Sequence, residues 1–212
     1  MIKQGQFITL EGGEGVGKST NIRFIRELLE ARGIKVVTTR EPGGTILAEK
    51  IRQLLLEASE ELVSETTELL LMFAARAQHI EHVIKPALAK GCWVLCDRFT
   101  DSTYAYQGGG RGMDTSIISW LEKNAQANIS PTLTLLLDAP IVVGMDRASK
   151  RGELDRFEQE KQHFFEKVRE SFLLRAEQNK KVISIINADQ PLNIVQGQIA
   201  SVIEAFILTV ND

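Results

Sequence analysis

The stretch Phe7-Ile-Thr-Leu10, followed by Gly12-Gly-Glu-Gly-Val-Gly-Lys18-Ser19, decides how this chain begins to fold. The first part predicts a short buried strand, and the second completes the G-x-x-x-x-G-K-[ST] pattern of a phosphate-binding loop. Its glycines let backbone N–H groups turn towards an anion, while Lys18 supplies a cation and Ser19 a hydroxyl for magnesium. A helix is predicted immediately afterwards, which adds its positive end. These features predict a nucleotide phosphate site, and an ordinary glycine-rich turn is the weaker alternative.

The composition is that of an ordinary soluble domain. The chain has 212 residues, of which 43% are hydrophobic and 25% are charged, a length that suits one domain over 1–212 with a mobile appendage. We find no apolar run as long as a membrane span and no signal peptide at the N-terminus. The formal net charge of −3 gives no general attraction for nucleic acid. We therefore expect a cytoplasmic protein that binds neither membranes nor nucleic acid.

The cysteines and histidines do not predict a zinc centre. Cys92 and Cys96 lie in one predicted strand, which separates their Cα atoms by roughly 13 Å, beyond the ~7 Å that a disulfide allows. His79 and His82 can share one face of a helix, but no further ligand is nearby in the sequence. We expect two reduced cysteines and no histidine-bound metal.

Predicted strands and helices alternate along the chain, which indicates an α/β fold with helices on both faces of a five-stranded parallel sheet. The predicted strands are 7–10, 35–39, 93–96, 132–137 and 182–186. The predicted helices are 20–32, 46–57, 64–89 with a bend before Pro86, 100–107, 115–127, one from about 141, 157–178, and one from 192. The glycine-rich stretch 108–112 is expected to be a flexible break.

The remaining sequence separates the classes of phosphate-loop protein. A guanine-nucleotide switch needs Asn-Lys-x-Asp, and the nearest string, 179–182, reads Asn-Lys-Lys-Val. A motor would normally be longer. A short chain with arginines scattered beyond the loop favours a small-molecule kinase, because two anionic substrates must be held together against their repulsion. A switch that binds ATP without a small acceptor is the alternative from another class.

The chain resembles the bacterial thymidylate kinases, which transfer a phosphoryl group from ATP to dTMP and have a P-loop kinase fold with a mobile lid. The resemblance covers residues 7 to about 165 and rests on six strings in the family's order. They are Glu11-Gly-Gly-Glu-Gly-Val-Gly-Lys-Ser19, Arg40-Glu-Pro-Gly-Gly-Thr45, Phe73-Ala-Ala-Arg76, Asp97-Arg98-Phe99, Tyr104-Ala-Tyr-Gln-Gly-Gly-Gly-Arg-Gly112 and Arg151-Gly-Glu-Leu-Asp-Arg156. A kinase of this fold that acts on another nucleoside monophosphate is the nearest rival.

The resemblance implies which residues bind ATP and Mg²⁺. The loop residues implied are Gly12, Gly13, Glu14, Gly15, Val16, Gly17, Lys18, Ser19 and Thr20. Ser19 and Asp97 are the expected magnesium ligands, although Asp97 at a strand end could instead cap a helix. Arg98 is expected to bridge the acceptor phosphate and the transferred group, with a surface ion pair as the weaker reading.

The resemblance also implies a dTMP pocket drawn from separate segments. Its expected residues are Glu11, Glu41, Arg52, Phe73, Arg76, Arg98, Thr103, Tyr106 and Gln107. Phe73 is expected to stack on the thymine ring, although the family's aromatic residue commonly stands where this chain has Met72, and a core position is the alternative. Arg52 is expected to reach the 5′-phosphate, with a solvated helix face as its alternative.

The basic segment 147–156 resembles the family's lid. The loop positions Gly13 to Val16 contain no cation, whereas the lid contains several, as in the subgroup whose catalytic arginine lies on the lid. Arg151 is the residue we expect to meet the transferred phosphate, and a solvated basic run is the alternative. The resemblance further implies a homodimer formed by helix faces within 64–89 or 157–178.

Overall fold

The computed structural model describes residues 5–57, 61–150 and 155–210, and it has one parallel sheet in that part of the chain. The strands are β1 (Phe7–Glu11), β2 (Val36–Arg40), β3 (Trp93–Asp97), β4 (Leu133–Asp138) and β5 (Ile183–Asn187). Their order across the sheet is β2-β3-β1-β4-β5, and every pair is parallel. The predicted five-stranded α/β fold is therefore confirmed.

The strand sequences explain this order. The central strands β1, β3 and β4 are almost wholly buried, as their continuous apolar character predicts for strands covered on both faces. β2 and β5 lie at the edges; no residue of β2 is fully buried, and in β5 only Ile183 and Ile186 are. The chain leaves β1 towards one edge and later returns to its other side, so a crevice forms at the carboxyl end of β1.

Helices cover both faces of the sheet. Their bounds are α1 (Lys18–Glu30), α2 (Ile46–Leu56), α3 (Glu65–His79), α4 (Lys85–Ala89), α5 (Thr100–Thr103), α6 (Thr115–Ala125), α7 (Ile141–Ser149), α8 (Gln162–Gln178) and α9 (Leu192–Thr209). π-helical segments lie at Ile80–Ile84 and Tyr104–Gly110. α1 and α9 pack on one side of β1, β3 and β4, and α8 packs against the inner residues of β4 and β5 on the other.

The predicted helix 64–89 is continuous only in part. α3 ends at His79, the π-helical turn Ile80–Ile84 follows, and Pro86 stands at the start of α4. Proline has no N–H to donate to the residue four positions earlier, so a wider turn before it lets the chain continue with a changed direction. The predicted bend before Pro86 corresponds to this π-helical turn.

The prediction of a flexible break at 108–112 is wrong for its first three residues. Gly108 to Gly110 belong to the π-helical segment, which packs closely on α8. A Cβ atom at Gly109 would lie 2.7 Å from Ser171 Cβ, and one at Gly110 would lie 2.4 Å from the Phe164 ring. These glycines therefore permit close helix packing.

One further helix begins later than predicted. α8 begins at Gln162 and not at Phe157, because the Asp155 carboxylate accepts hydrogen bonds from the N–H groups of Phe157 and Glu158 and holds a separate turn.

α9 has a mean hydropathy of 1.4 and, by length and composition alone, could cross a membrane. The expectation that no apolar stretch is long enough is thus wrong for α9, although such a helix is weak evidence of a span.

Candidate active site

The phosphate-binding loop joins β1 to α1 at the crevice in the sheet. Gly12, Gly15 and Gly17 have φ angles of 137°, 66° and 92°, a region that side-chain-bearing residues rarely adopt. α1 begins at Lys18 without a side-chain cap, so the first N–H groups of the helix are left for another acceptor. This is the geometry that an anion requires at a helix N-terminus.

α7 lies directly against this loop. A Cβ atom on Gly15 would lie 1.9 Å from the carbonyl oxygen of Gly144, and one on Gly144 would lie 2.4 Å from the carbonyl oxygen of Glu14. Only glycine at both positions allows the two backbones to approach so closely. Because α7 leads into segment 147–156, the contact fixes the start of the proposed lid relative to the loop.

The Lys18 side chain folds over the loop. Its ammonium group donates to the carbonyl oxygens of Gly12 at 3.1 Å and Gly13 at 2.6 Å. Burial, together with the nearby charge of Arg98, lowers the pKa of Lys18 to about 8, although the surrounding carboxylates oppose this change. A partly buried ammonium whose hydrogen bonds, among the described residues, go only to neutral carbonyls is well suited to accept an anionic ligand.

Asp97 and Ser19 fit a magnesium ion. Asp97 ends β3, and its Oδ1 atom is buried without a hydrogen-bond partner among the described residues. The alternative that Asp97 caps a helix is not observed, since Phe99 occupies that position before α5. Ser19 lies in the first turn of α1. Mg²⁺ commonly takes few protein carboxylates and completes its shell with water and phosphate oxygens, so these residues suit it.

Arg98 connects the loop to the neighbouring cleft. It has a positive φ of 67° and donates to Gly12 O at 2.9 Å, Ser102 Oγ at 3.1 Å, Glu14 Oε1 at 2.5 Å and Tyr106 OH at 3.0 Å. Burial alone would lower the pKa of Arg98, but Tyr106 and Glu14 outweigh it and raise the pKa further. The guanidinium is therefore a fixed cation and not an exposed surface pair.

Glu14 is an acidic residue in a loop built for anions, and the structure accounts for its charge. Its Oε1 atom accepts hydrogen bonds from both Arg98 and Tyr106, the latter at 2.6 Å. The side chain thus points away from the glycine amides and towards the neighbouring cleft. Its negative charge is compensated by Arg98.

A cleft that is open to solvent lies beside the loop. Seven of the predicted substrate residues line it: Glu41, Arg52, Arg76, Arg98, Thr103, Tyr106 and Gln107. Its apolar wall includes Leu56, Met72 and Phe157. Residues distant in sequence therefore converge on one cavity with a polar side and an apolar side, as is usual for small-molecule sites.

A buried ion pair forms the polar side of this cleft. Arg76 donates from Nε to Glu41 Oε2 at 2.7 Å and from Nη2 to Thr103 Oγ1 at 2.9 Å. Its Nη1 atom is buried without a hydrogen-bond partner among the described residues. Since a buried guanidinium N–H is costly to leave unpaired, this atom is a ready donor for a ligand in the cleft.

His79 and Glu41 continue this network away from the cleft. The imidazole is fully buried, with Nδ1 2.9 Å from Glu41 Oε1 and Nε2 2.6 Å from Thr39 Oγ1. The sequence suggests only a metal-ligand role for His79, and the lack of further ligands nearby argues against that role. Its position three residues after Arg76 on α3 is the signal that could have suggested a shared role, since both point from one helix face.

Arg52 lies at the entrance to the same cleft. It donates to the Pro42 carbonyl oxygen at 3.1 Å, and burial, with the neighbouring charge of Arg40, lowers its pKa. Arg98 contributes to the same repulsion. Two guanidinium groups that repel one another across a cleft favour a bound anion, so the solvated-face alternative for Arg52 does not describe its position.

Phe73 does not line the cleft. Its side chain is buried in a core cluster with Leu69, Tyr104 and Ile118, and the Arg76 guanidinium lies 4.9 Å from its ring centre. The expectation that Phe73 stacks on a base is therefore wrong, and Met72 faces the cleft in its place. Adjacent residues differ by about 100° around a helix, so only one of the two can face the ligand.

Glu11 also lies outside the cleft. Its carboxylate is fully buried and accepts hydrogen bonds from Phe99 N at 2.7 Å and Ser102 Oγ at 2.5 Å. Burial, with the charge of Asp101, raises the pKa of Glu11 to about 7. The expectation that Glu11 faces a sugar hydroxyl is not supported, because both oxygens hold the segment that follows β3.

Glu68 is a buried residue beside the cleft, and no motif in the sequence indicated a role for it. Its buried carboxylate accepts hydrogen bonds from Gln107 at 2.9 Å, from Arg111 at 3.3 Å and from Arg156 at 2.6 Å. Glu68, Met72 and Arg76 follow at intervals of four on α3 and share one face. That spacing was visible in the sequence, but the partners on other segments were not.

The lid segment is described only in part, and Arg151 lies outside the described residues. At the N-terminal end of the segment, Arg147 donates to the Ala188 carbonyl oxygen at 3.1 Å, and Lys150 pairs with Asp146 at 2.6 Å. On its far side, Arg156 donates to the Leu55 carbonyl oxygen at 2.8 Å. These three lid cations are therefore already engaged with protein groups.

Comparison with known proteins shows the family of the chain. Residues 10–199 match the family model described as thymidylate kinase. Thymidylate kinases of Chromohalobacter salexigens and Ectopseudomonas mendocina are 59% and 56% identical, the first over 93% of this chain and 94% of the relative, the second over 96% and 97%. The crystal structure of thymidylate kinase from Ehrlichia chaffeensis superposes with a TM-score of 0.78 at 34% identity, covering 95% of this chain and 99% of that one. The chain belongs to the thymidylate kinase family.

Proposed function

We propose that this protein, as a single nucleoside monophosphate kinase domain, transfers the γ-phosphoryl group of ATP to dTMP, giving dTDP and ADP. The observation that carries the proposal is the position of Arg98, which bonds the phosphate-binding loop and also lines the neighbouring cleft. A fixed cation shared by two anion sites is what phosphoryl transfer between two nucleotides requires. The family relationship supports the same reaction.

On the donor side, the loop amides and the ammonium group of Lys18 hold the ATP phosphates. Lys18 exchanges its carbonyl partners, Gly12 and Gly13, for phosphate oxygens, and this exchange favours its charged form. Mg²⁺, held by Ser19 and Asp97, would supply charge neutralisation on the phosphates. The acceptor phosphate is already ionised at neutral pH, so the protein needs no strong general base.

On the acceptor side, the polar wall of the cleft suits a pyrimidine base. Arg76 Nη1, which has no hydrogen-bond partner among the described residues, can donate to a thymine carbonyl, and the Gln107 amide can accept from the ring N–H. Met72, and not Phe73, supplies apolar contact with the ring. Tyr106, held by Glu14 and Arg98, lines the cleft where the sugar would lie.

Arg52 and Arg98 are the proposed ligands of the 5′-phosphate. They face the same cleft, and the lowered pKa of Arg52 reflects both its burial and neighbouring positive charge. A bound phosphate relieves this repulsion and places its oxygens beside the donor loop. Water is excluded when the lid, 147–156, closes over the two nucleotides.

Arg151 is the lid residue we propose to meet the transferred phosphate. Two observations support it. The loop positions 13–16 contain no cation, and the described lid cations Arg147, Lys150 and Arg156 each have a protein partner. Arg151 then supplies charge that the loop itself does not.

We also propose that the enzyme is a cytoplasmic homodimer that binds neither membranes nor nucleic acid. Large apolar side chains are exposed on three adjacent helices, α2, α3 and α6, with α3 in the middle. They include Leu54, Leu70 and Trp120, which are 60%, 54% and 64% exposed. Exposed apolar side chains on neighbouring helices favour association with a second copy, and we propose the 64–89 region as the contact face.

The experiment is an ADP-release assay with dTMP, dUMP, dGMP and CMP as acceptors. We expect dTMP to exceed dGMP in kcat/KM by at least about 100-fold, since a purine leaves the hydrogen-bonding groups of the cleft unpaired. Lys18→Ala should abolish turnover, whereas the exposed Lys90→Ala should not. Equal turnover of a purine nucleotide would contradict the base pocket, and ATP consumption that no acceptor raises would favour the switch alternative.

A further inference from the structure

We propose that Glu68 is a positioning residue that sets the orientation of the Gln107 amide and so determines which pyrimidine the cleft accepts. Through its second oxygen, the same carboxylate fastens the far end of the lid segment to the base pocket. The inference rests on the proposed function, because it assumes that Gln107 contacts the acceptor base.

The Glu68 carboxylate is surrounded by N–H donors. The residue is 1% exposed, and its Oε1 accepts from Gln107 Nε2 at 2.9 Å and from Arg111 Nε at 3.3 Å. Its Oε2 accepts from Arg156 Nη2 at 2.6 Å and from Arg111 Nη2 at 3.3 Å. An ionised carboxylate only accepts hydrogen bonds, so whichever amide atom of Gln107 faces it must be the NH₂ group.

The orientation of the Gln107 amide decides which of its groups a ligand meets. With Nε2 directed at Glu68, the Gln107 carbonyl oxygen is the other end of the amide, and it has no hydrogen-bond partner among the described residues. Gln107 lines the cleft, so this oxygen is available to a ligand. Thymine presents an N–H at ring position 3 and matches an acceptor, whereas cytosine presents a lone pair there and does not.

The other oxygen of Glu68 acts on the lid side. Arg156 bonds Glu68 and the Leu55 carbonyl oxygen, and its guanidinium lies 4.5 Å from the centre of the Phe157 ring. Leu56 and Phe157 both line the cleft. The carboxylate that contacts the Gln107 amide therefore also contacts Arg156, which packs on the apolar wall of the cleft.

Replacing the carboxylate by an amide removes the constraint. In Glu68→Gln the residue can present either an oxygen or an NH₂ group to Gln107, so the Gln107 amide is free to turn over. Arg111 and Arg156 also lose their common anion. We expect the preference for dTMP over dCMP to fall about tenfold, which corresponds to about 1.4 kcal/mol, while the KM for ATP changes little.

The test measures kcat/KM for dTMP and dCMP in the wild type, Glu68→Gln and the matched control Glu160→Gln. Glu160 pairs with Arg111 and lies at the surface side of that arginine, and within the described residues it makes no hydrogen bond to Gln107. The control should retain the wild-type preference. A loss of general stability would lower both rates together and leave their ratio unchanged, so the ratio separates positioning from folding.

Glu68→Asp provides a second route if the glutamine variant does not fold. It keeps the charge but withdraws the carboxylate by about 1.5 Å, which breaks the 2.9 Å contact with Gln107. The ratio should again fall. A change of less than threefold in the folded Glu68 variants, with a wild type that phosphorylates dTMP, overturns the inference and leaves the function intact. A wild type without dTMP activity rejects the function itself.

Discussion

Gly15→Ala tests how closely the phosphate-binding loop and α7 must approach. Gly15 has a φ of 66°, and an added Cβ atom would lie 1.9 Å from the Gly144 carbonyl oxygen and 2.7 Å from its carbonyl carbon. The obstacle is backbone, which cannot rotate away as a flexible side chain can. Either the loop or α7 must move.

The expected cost follows from two terms. A left-handed conformation costs an alanine roughly 1–2 kcal/mol, and overpacking a tight contact costs typically about 1–3 kcal/mol. Together they predict a loss of roughly 2–5 kcal/mol, or about 4–20 °C in melting temperature for a chain of this size. Displacement of the loop should also raise the KM for ATP by about tenfold, because the amide donors no longer converge.

The matched control is Gly13→Ala in the same loop. A Cβ atom added at Gly13 would meet no atom within 4 Å, and the residue lacks a positive φ, so this variant should stay within about 0.5 kcal/mol of the wild type. Thermal and urea unfolding, followed by circular dichroism, measure both. If Gly15→Ala and Gly13→Ala melt within about 2 °C of each other, which is roughly 1 kcal/mol, the close contact with α7 does not exist in solution.

Two further predictions concern pH. The pKa of Lys18 is about 8 and ATP binds its protonated form, so the affinity for ATP should fall as the pH rises above about 8. Calorimetry in buffers of different ionisation enthalpy should detect proton uptake when ATP binds. An affinity that does not change between about pH 7 and 9 would refute this. Because the pKa of Glu11 is raised to about 7, the folded state binds more protons than the unfolded state between pH 4.5 and 7. The free energy of unfolding of the wild type should therefore fall as the pH rises through that interval. Glu11→Gln should lack this fall. Its free energy of unfolding in urea, relative to that of the wild type, should increase by roughly 1–3 kcal/mol between about pH 5 and 8. If the free energies of unfolding of the two proteins change in parallel with pH, the prediction is wrong.

The fold was readable from sequence because its signals are local and repeated. Apolar runs bounded by glycine and charged residues predicted all five strands, with ends displaced by one residue at most, and the helices followed in order. The exceptions depend on distant partners. The π-helical segment Tyr104–Gly110 looks like a break until α8 is placed against its glycines.

The site was readable only where a motif fixed it. The loop, Asp97 and Arg98 follow from a short pattern at a strand end, and their placement agrees with it. Phe73 and Met72 could not be distinguished, since the choice depends on how α3 is rotated, which core packing decides. Glu68 lies in no recognisable motif. Its contacts are with Gln107 and Arg156, which belong to two other segments, so the sequence around Glu68 does not reveal them.

The pairing of Glu14 with Arg98 explains how an acidic residue can occupy a phosphate-binding loop. Arg98 is largely buried, and leaving it without an anion would cost several kcal/mol, roughly 3–5 by analogy with broken buried pairs. Glu14 supplies that anion within the protein, while Tyr106 donates to the same carboxylate oxygen. A nucleotide phosphate that approaches Arg98 therefore meets a cation that is already paired, so it gains less binding energy from Arg98 than it would from an unpaired guanidinium. Arg52 and Lys18 differ from Arg98 because their described hydrogen bonds go only to neutral backbone carbonyls, although carboxylates lie near both, so we expect them to contribute more of the phosphate affinity.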